Sequence, residues 1–544
     1  MSGADNKTVA ILGGGIMQIP ALRIARELTW RVILVDRDEN APGRRYADYF
    51  EHIDLKHKEE IEQAIAAYGK RFTVDGVFTA GTDFSATVAW VAERLGLPGI
   101  PYETALDATD KARMRRIFRA HNIPGPAYCC IDDPGQVREI LYTMDFPLVV
   151  KPVDNMGARG VVMVESPGQL ERAAELGFGY SRTHKVIVEE YIPGPEFSLD
   201  AIIYRGKITV CGVADRIICF PPYFVEMGHT MPTAYDQRIE AAVTEVFCRG
   251  IRALGITDGA AKGDIKLAPT GPVVGEIAAR LSGGYMSGWT FPYAYGVEVT
   301  KAALRIAVGL DPGGLEPLFR HVSAERAFIS IPGVVGRIYG ECEARRTQDV
   351  ADLFFRVGPG NKVCFPTNNV EKCGNAVSKA RDRASAVAAA ERAVQCIFLR
   401  LEPGNPETEK FLFGTDRPGV RCFRLADRDN LAALRAMCPV WKGAVKPRPD
   451  NTAILNLPHP ERERSRDWHG LPLGDALAQV IRYTGIHLTS QVSDNMVILG
   501  SRFWDAFCKG GVQGGVYVID TLFAETHAHG ASVRGKETID EKRH

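Results

Sequence analysis

The chain carries no excess charge: its 66 basic and 66 acidic side chains cancel over 544 residues. That balance removes the electrostatic case for a nucleic-acid or membrane-surface partner, each of which calls for clustered or net positive charge. Long apolar runs are missing too. None reaches the ~18 residues of a membrane-spanning helix, and the opening MSGADNKTVAILGGG enters a strand pattern without a basic, then apolar, leader. The 12 cysteines are scattered, Cys129 and Cys130 are the one close pair, and no CxxC or Cys/His cluster has metal-ligand spacing. The expectation is a reduced, cytoplasmic protein that neither crosses a membrane nor is exported.

What is present is an ordinary globular composition, 45% hydrophobic and 24% charged, on a chain long enough for about three or four domains. Residues 8–15 read as a buried strand ending in glycines, 20–29 as a helix, and 31–36 as a second strand closed by Asp36. With helix 58–70, strand 74–81 and the loop 96–101, this predicts a small parallel α/β domain. Glycines 13–15 could let a phosphate approach, but the spacing is not GxGxxG and a tight turn needs the same residues. Asp36 is either ribose-facing or a loop cap.

Further on, Thr109 or Asp110 caps a helix with Met114, Ile117, Phe118 and His121 on one face. Strand 147–152, a glycine-bearing turn into a strand at 154–164, and helix 166–176 follow. Residues 185–217 read as three strands of one antiparallel meander, 236–254 as a helix and 258–284 as a hairpin turning at Pro-Thr-Gly. Short strands and an alanine-rich helix at 379–400 come next, and the texture changes near 402.

Three features suggest a nucleoside triphosphate site without a Walker motif. Lys151 sits in an apolar strand, where an unpaired ammonium is costly, so it is expected to face an anion. Gly157 and Gly160 flank Arg159 in a turn whose backbone N–H groups could close over phosphates. Asp264 and Glu276 fall on consecutive strands of one hairpin, where two carboxylates facing one point suit Mg²⁺. Each has a plainer account: a snorkelling lysine, a simple turn, solvated acids.

Taken in order, Lys111, Lys151 in VVKP, the loop DNMGARGV, VEEYIPGPEFS, Asp264 and GEIAARLSGG resemble the ATP-grasp superfamily over roughly residues 8–400. The resemblance implies α/β and α+β domains that bind ATP and Mg²⁺, with two ions expected and Mn²⁺ as a substitute. It implies phosphate contacts from Lys111 and Lys151 and a closing loop at 154–160. It also implies an adenine-reading hinge at Glu189 or Glu190 with Tyr191 and Ile192, a ribose ligand at Glu196, and metal ligands at Asp264 and Glu276. An Asn usually stands two residues after that glutamate; here it is Ala278. Arg280 resembles the arginine that binds the transferred phosphate and the tetrahedral oxyanion.

YFVEMGHTMPT at 223–233 resembles the ExGHxxP segment of the L-amino acid ligases, in which the positions of Glu226 and His229 line the amino-acid pocket. Arg280, Gly283 and Gly284 complete that pattern, and Met286 and Trp289 either shape the pocket or pack in the core. The resemblance implies that a carboxylate is activated as acyl phosphate and coupled to an amine, forming an amide or dipeptide bond with release of ADP. The amine's proton would pass to His229 or Glu226.

Two rival readings stay open. One is a carboxylase-type or purine-pathway ATP-grasp enzyme, suggested by VDRDENAPGRRYADYF at 35–50; the other is a non-catalytic nucleotide-binding regulatory module, suggested by Ala278. The expected organisation is a Rossmann-like N-terminal domain at 1–105, an ATP-grasp domain at 106–327 and a small C-terminal subdomain at 328–402. An accessory α/β domain follows at 403–530, with helix 475–485 and strand 514–520, and then a disordered tail at 531–544. The accessory domain could form a homodimer, carry a second activity or cover the substrate entrance.

Overall fold

The computed structural model describes residues 6–414, 419–423, 465–485 and 501–540. The chain divides into two compact units, one made of 1–325, 367–369 and 377–387, the other of 326–366, 370–376 and 388–544.

The first unit begins with four parallel strands in the order Tyr49–His52, Arg31–Asp36, Thr8–Leu12, Gly76–Phe78. Thr8–Leu12 is buried at every residue, as a parallel strand covered on both faces must be. Helices Ile19–Glu27, Lys58–Gly69 and Ser85–Leu95 cover the sheet. Asp36 caps the glycine loop: its carboxylate accepts the Gly14 N–H at 2.6 Å.

Asp110, not Thr109, caps the helix Lys111–Ala120, accepting from the Ala112 and Arg113 N–H groups. Four antiparallel strands then pair in the order Tyr128–Ile131, Val186–Glu190, Leu148–Pro152, Val162–Val164, and helix Pro167–Tyr180 packs on them through Leu170, Ala173 and Phe178. The expected three-stranded meander at 185–217 is therefore wrong in its first member. Val186–Glu190 lies between two strands of this small sheet, because Pro193-Gly194-Pro195 turns the chain away before the next strand starts.

Glu196–Tyr204 and Lys207–Cys219 do form a hairpin, as do Gly259–Ala268 and Gly271–Ala278. With Val225–Met231 they line up as Gly271–Ala278, Gly259–Ala268, Glu196–Tyr204, Lys207–Cys219, Val225–Met231. Side chains alternate between the faces of these strands. Phe197, Leu199, Ala201, Ala261, Ile265 and Ile277 point to an apolar core closed by helix Gln237–Ala253. Glu196, Ser198, Asp200, Lys262, Asp264 and Glu276 belong to the opposite set, and the site is built there.

In the second unit, strand Gly333–Tyr339 pairs with Lys362–Val363 and Phe398–Leu401. The helix expected at 379–400 runs Arg383–Cys396, ending where Phe398–Leu401 takes up the sheet. Helix Leu473–Thr484 ends on Gly485 in the left-handed conformation, as glycine allows. The strand expected at 514–520 is helical instead, part of Ser501–Asp540, which kinks at Gly511 and continues through 531–540, where a disordered tail was expected. Gly511 takes a φ of 61° at the kink, and at Gly514 a Cβ would meet the Ala506 carbonyl oxygen at 2.1 Å. Arg400 holds this helix to the sheet through both oxygens of Asp520, at 2.7 and 2.5 Å. Residues 541–544 lie outside the described residues. Among the described residues no helix is long and apolar enough to cross a membrane.

Candidate active site

Register assembles the acids. In the hairpin, Asp264 stands directly opposite Glu276, and on its other side opposite Ser198. Directly opposed residues in an antiparallel pair lie about 5 Å apart at Cβ, and two carboxylates so placed repel unless cations intervene. Cations do intervene. Asp264 is bonded by Lys262, and Arg216 reaches it at 3.1 Å; Lys111 lies 3.7 Å from Glu276. Burial pushes the Glu276 carboxyl up, but Lys111, Lys262, Arg280 and Lys151 outweigh it and hold the group down at about 2. Glu276 is an anion at any physiological pH.

Two oxygen-donor side chains suit Mg²⁺, which is commonly held by one or two carboxylates and completes its octahedron with phosphate and water oxygens. Asp264 and Glu276 fit that demand, and no group of three or more His, Cys, Asp or Glu among the described residues could cage an ion without such help. Ala278, buried opposite Lys262, contributes no donor.

The glycine turn lies beside Lys111, whose ammonium donates to the Asn155 carbonyl at 2.8 Å. Gly157, Ala158 and Gly160 all have positive φ, 69°, 61° and 70°. Gly160 also packs so tightly on Tyr180 that a Cβ would lie 2.9 Å from its ring. Arg159 extends to within 3.7 Å of Asp83. The Asn369 N–H donates to the Gly157 carbonyl at 2.9 Å, and the Asn369 side-chain oxygen accepts the Glu226 N–H at 2.7 Å.

Lys151 faces an anion, as its place in an apolar strand predicts, but that anion is Glu189. The Glu189 carboxylate takes Lys151 at 2.6 Å on one oxygen and Arg115 at 2.7 Å on the other. Burial pushes Glu189 up, yet Arg115 and Lys151 bring it down to about 2. This carboxylate is consumed by its own neighbours, while Glu190 is exposed and its N–H donates to the Ala127 carbonyl at 2.9 Å. Tyr191 donates its N–H to Pro147, and its ring lies under the Lys266 ammonium, 4.8 Å away. Ile192 is half-buried and precedes the Pro-Gly-Pro turn.

Arg216 is the residue that sequence reasoning missed. It sits opposite His229 in register, and its guanidinium binds Glu196, takes Glu226 at 2.9 Å and approaches Asp264 at 3.1 Å. Burial opposes its charge, but Asp264, Glu226 and Glu196 raise its pKa further still. One cation thus fixes the acids expected for ribose, amino acid and metal. His229 is 1% exposed: Nε2 contacts the Thr290 hydroxyl at 2.8 Å, and Nδ1 lies 3.4 Å from Glu325 and 3.8 Å from Glu226.

Arg280 is buried and donates to the Leu281 carbonyl at 2.9 Å. The turn after it is held by Asp200, which accepts Ser282 N–H at 3.0 Å, Ser282 Oγ at 2.7 Å and Ser287 Oγ at 2.9 Å. Gly283 packs against Gly81, where an added Cβ would lie 3.1 Å from the Gly283 Cα, and Gly284 takes a φ of 61°. Trp289 meets Tyr285 edge-on at 5.3 Å, whereas Met286 packs in the apolar core with Leu281 and Phe291.

Three family models match the chain: the ATP-grasp N-terminal domain over 22–99, the ATP-grasp domain over 144–288, and the L-amino acid ligase C-terminal domain 2 over 327–402. The protein y4rH of Sinorhizobium fredii is 26% identical over 356 residues, covering 64% of this chain and 73% of that one. Carnosine synthase 1 of Mus musculus is 26% identical over 334 residues, and the match covers 57% of this chain but only 40% of the mouse protein. The crystal structure of the L-amino acid ligase from Bacillus licheniformis superimposes with a TM-score of 0.64 at 22% identity, over 73% of this chain and 99% of that one, a likeness of fold. With an ATP-grasp N-terminal domain, an ATP-grasp domain and an L-amino acid ligase C-terminal domain in succession, the chain belongs to the ATP-grasp superfamily.

Proposed function

We propose that the protein is an ATP-dependent, ADP-forming carboxylate–amine ligase that activates a carboxylate as acyl phosphate and couples it to an amine, at least one substrate being an amino acid. The observation that carries this reading is the pair Asp264 and Glu276, opposed in one hairpin and ringed by Lys111, Lys262, Arg216 and Arg280. Asp264 and Glu276 would hold Mg²⁺, which when bound would supply neutralisation of the charge on the transferring phosphoryl group.

The chain's residues divide the remaining work. Lys111 and Lys151 present ammonium groups to the phosphates, the second aimed by Glu189. The loop 154–160 covers the reacting centre, which matters because an acyl phosphate hydrolyses in water. Arg280 offers a guanidinium to the phosphoryl oxygens and to the oxyanion that forms when the amine attacks, a charge-assisted contact. Glu226, held by Arg216, receives the ammonium group and takes its proton, and His229, buried between Glu226, Glu325 and Thr290, orients it.

The test is ADP release from the full chain with ATP, Mg²⁺ and the twenty common amino acids, singly and in pairs, followed by mass analysis of the product. The expected result is ADP formation that requires an amino acid and yields an amide of the added substrates, abolished in Glu276→Ala. ADP release equal in parent and variant, or dependent on bicarbonate alone, would overturn it.

A further inference from the structure

We propose that Asn369 is a positioning residue that locks the phosphate-covering loop to the strand of the amino-acid pocket, so that closure over ATP and organisation of the second substrate are one event. The assignment rests on the function proposed above, and its geometry stands independently.

The loop 154–160 has a conformation that needs outside support. Three of its residues have positive φ, one of them Ala158, whose Cβ makes that backbone strained. Its start is tied by Lys111 at the Asn155 carbonyl, and its far side by Arg159 toward Asp83. Gly157, at the crest, has its carbonyl taken by the Asn369 N–H. The same residue's side-chain oxygen takes the N–H of Glu226, whose carboxylate is the one held by Arg216 and approached by His229. One residue therefore touches the main chain of the loop and the main chain of the pocket strand, at 2.9 and 2.7 Å. Residues 367–369 group with the first unit although their neighbours on both sides in sequence do not.

Asparagine suits this place. Its side chain supplies an acceptor for a main-chain N–H without placing a negative charge beside Glu226 or the phosphates. Alanine keeps the main-chain bond to Gly157 and removes the side-chain bond to Glu226. Aspartate keeps both bonds and adds charge.

The consequence is coupling. Moving the pocket strand moves Glu226, and through Asn369 the crest of the loop. With the link cut, the loop closes over ATP without reference to the second substrate. Water then reaches the acyl phosphate, so ADP forms without amide.

Two measurements on the full chain test this. In hydrogen exchange on the protein alone, Asn369→Ala should speed exchange of the amides at 156–160 and 225–227 by about fivefold, the worth of one hydrogen bond, while Asn369→Asp stays near the parent. In steady state, amide formed per ADP released should fall severalfold in Asn369→Ala, with KM for the amine substrate raised more than KM for ATP. Asn369→Asp should instead raise KM for ATP and keep the ratio. Exchange in Asn369→Ala equal to the parent in both segments would overturn the link, whatever the activity. A parent that releases no ADP with any amino acid would overturn the proposed function while the exchange result still decides the link.

Discussion

Replacing Glu189 with glutamine should destabilise the protein strongly at neutral pH and less than half as much in acid. In the native protein this carboxylate is 1% exposed and bonds Lys151 and Arg115 at 2.6 and 2.7 Å. Glutamine occupies the same volume and retains one acceptor, so the substitution removes charge rather than packing. Arg115 then remains buried with its charge uncompensated. Its Nη1 already has no hydrogen-bond partner among the described residues, and its Nη2 is committed to the Gly275 carbonyl at 2.6 Å. Removing one partner of a buried ion pair costs about 3–5 kcal/mol.

The titration gives a second route to the magnitude. The Glu189 carboxyl is held at about 2 in place of its ordinary 4.5, which corresponds to about 3 kcal/mol of stability at neutral pH. The two routes agree. Because the folded value is the lower one, this stability is fully present above the unfolded value near 4.5 and drains away as pH falls toward 2. Urea unfolding of parent and Glu189→Gln, followed by tryptophan fluorescence at pH 7 and at about pH 3, isolates the effect, since every other acid is common to both proteins. The gap should be about 3 kcal/mol at pH 7 and less than half of that at about pH 3. A gap below about 1 kcal/mol at pH 7, or one unchanged in acid, would refute the reasoning. KM for ATP should also rise in the variant, because Lys151 loses the group that aims it.

Other substitutions probe the rest of the site. Arg216→Lys keeps one charge but cannot reach three carboxylates at once, so kcat for ligation should fall about tenfold or more; unchanged kinetics would remove Arg216 from the site. Asp200→Asn keeps an acceptor for Ser282, its amide can donate to the Ser287 hydroxyl, which turns its own hydrogen to the Ser282 carbonyl 2.9 Å away, and burial already raises the Asp200 carboxyl. Its melting temperature at pH 7 should equal or exceed the parent's, whereas Asp200→Ala, which strands those donors, should cost about 1–3 kcal/mol. Gly263→Ala drives a methyl to 2.5 Å from the Phe247 ring and should cost about 1–3 kcal/mol by overpacking, measurable by calorimetry.

Much of the architecture is legible because alternation and burial leave a direct trace. Thr8–Leu12 and Arg31–Asp36 are apolar runs bounded by turn residues, and Glu-Phe-Ser-Leu-Asp at 196–200 alternates so regularly that one face must be polar. Lys111, Lys151, Asp264 and Glu276 stand out as charges in strands or at a capped helix start. The strand expected at 514–520 fails for the converse reason: a short apolar run carries no decisive period, and its glycines served a helix kink instead of a turn.

Alternation reports which way a side chain points and says nothing about what stands opposite. Val186–Glu190 reads as the first strand of a meander because sequence neighbours usually pair, but it pairs with Leu148–Pro152 and Tyr128–Ile131. Glu189 consequently meets Lys151, two residues along the strand from its register partner Val149, in place of a ligand. Arg216 is the stronger case. In Val-Ala-Asp-Arg-Ile it is an unremarked charge in an alternating strand; its role exists only because Lys207–Cys219 lies between the strands bearing Glu196 and Glu226, two strands from the one bearing Asp264. A register slip of one residue would turn that guanidinium to the apolar face and leave three half-buried acids without their shared cation. The catalytic arrangement is thus a property of strand order and register, which no local pattern encodes.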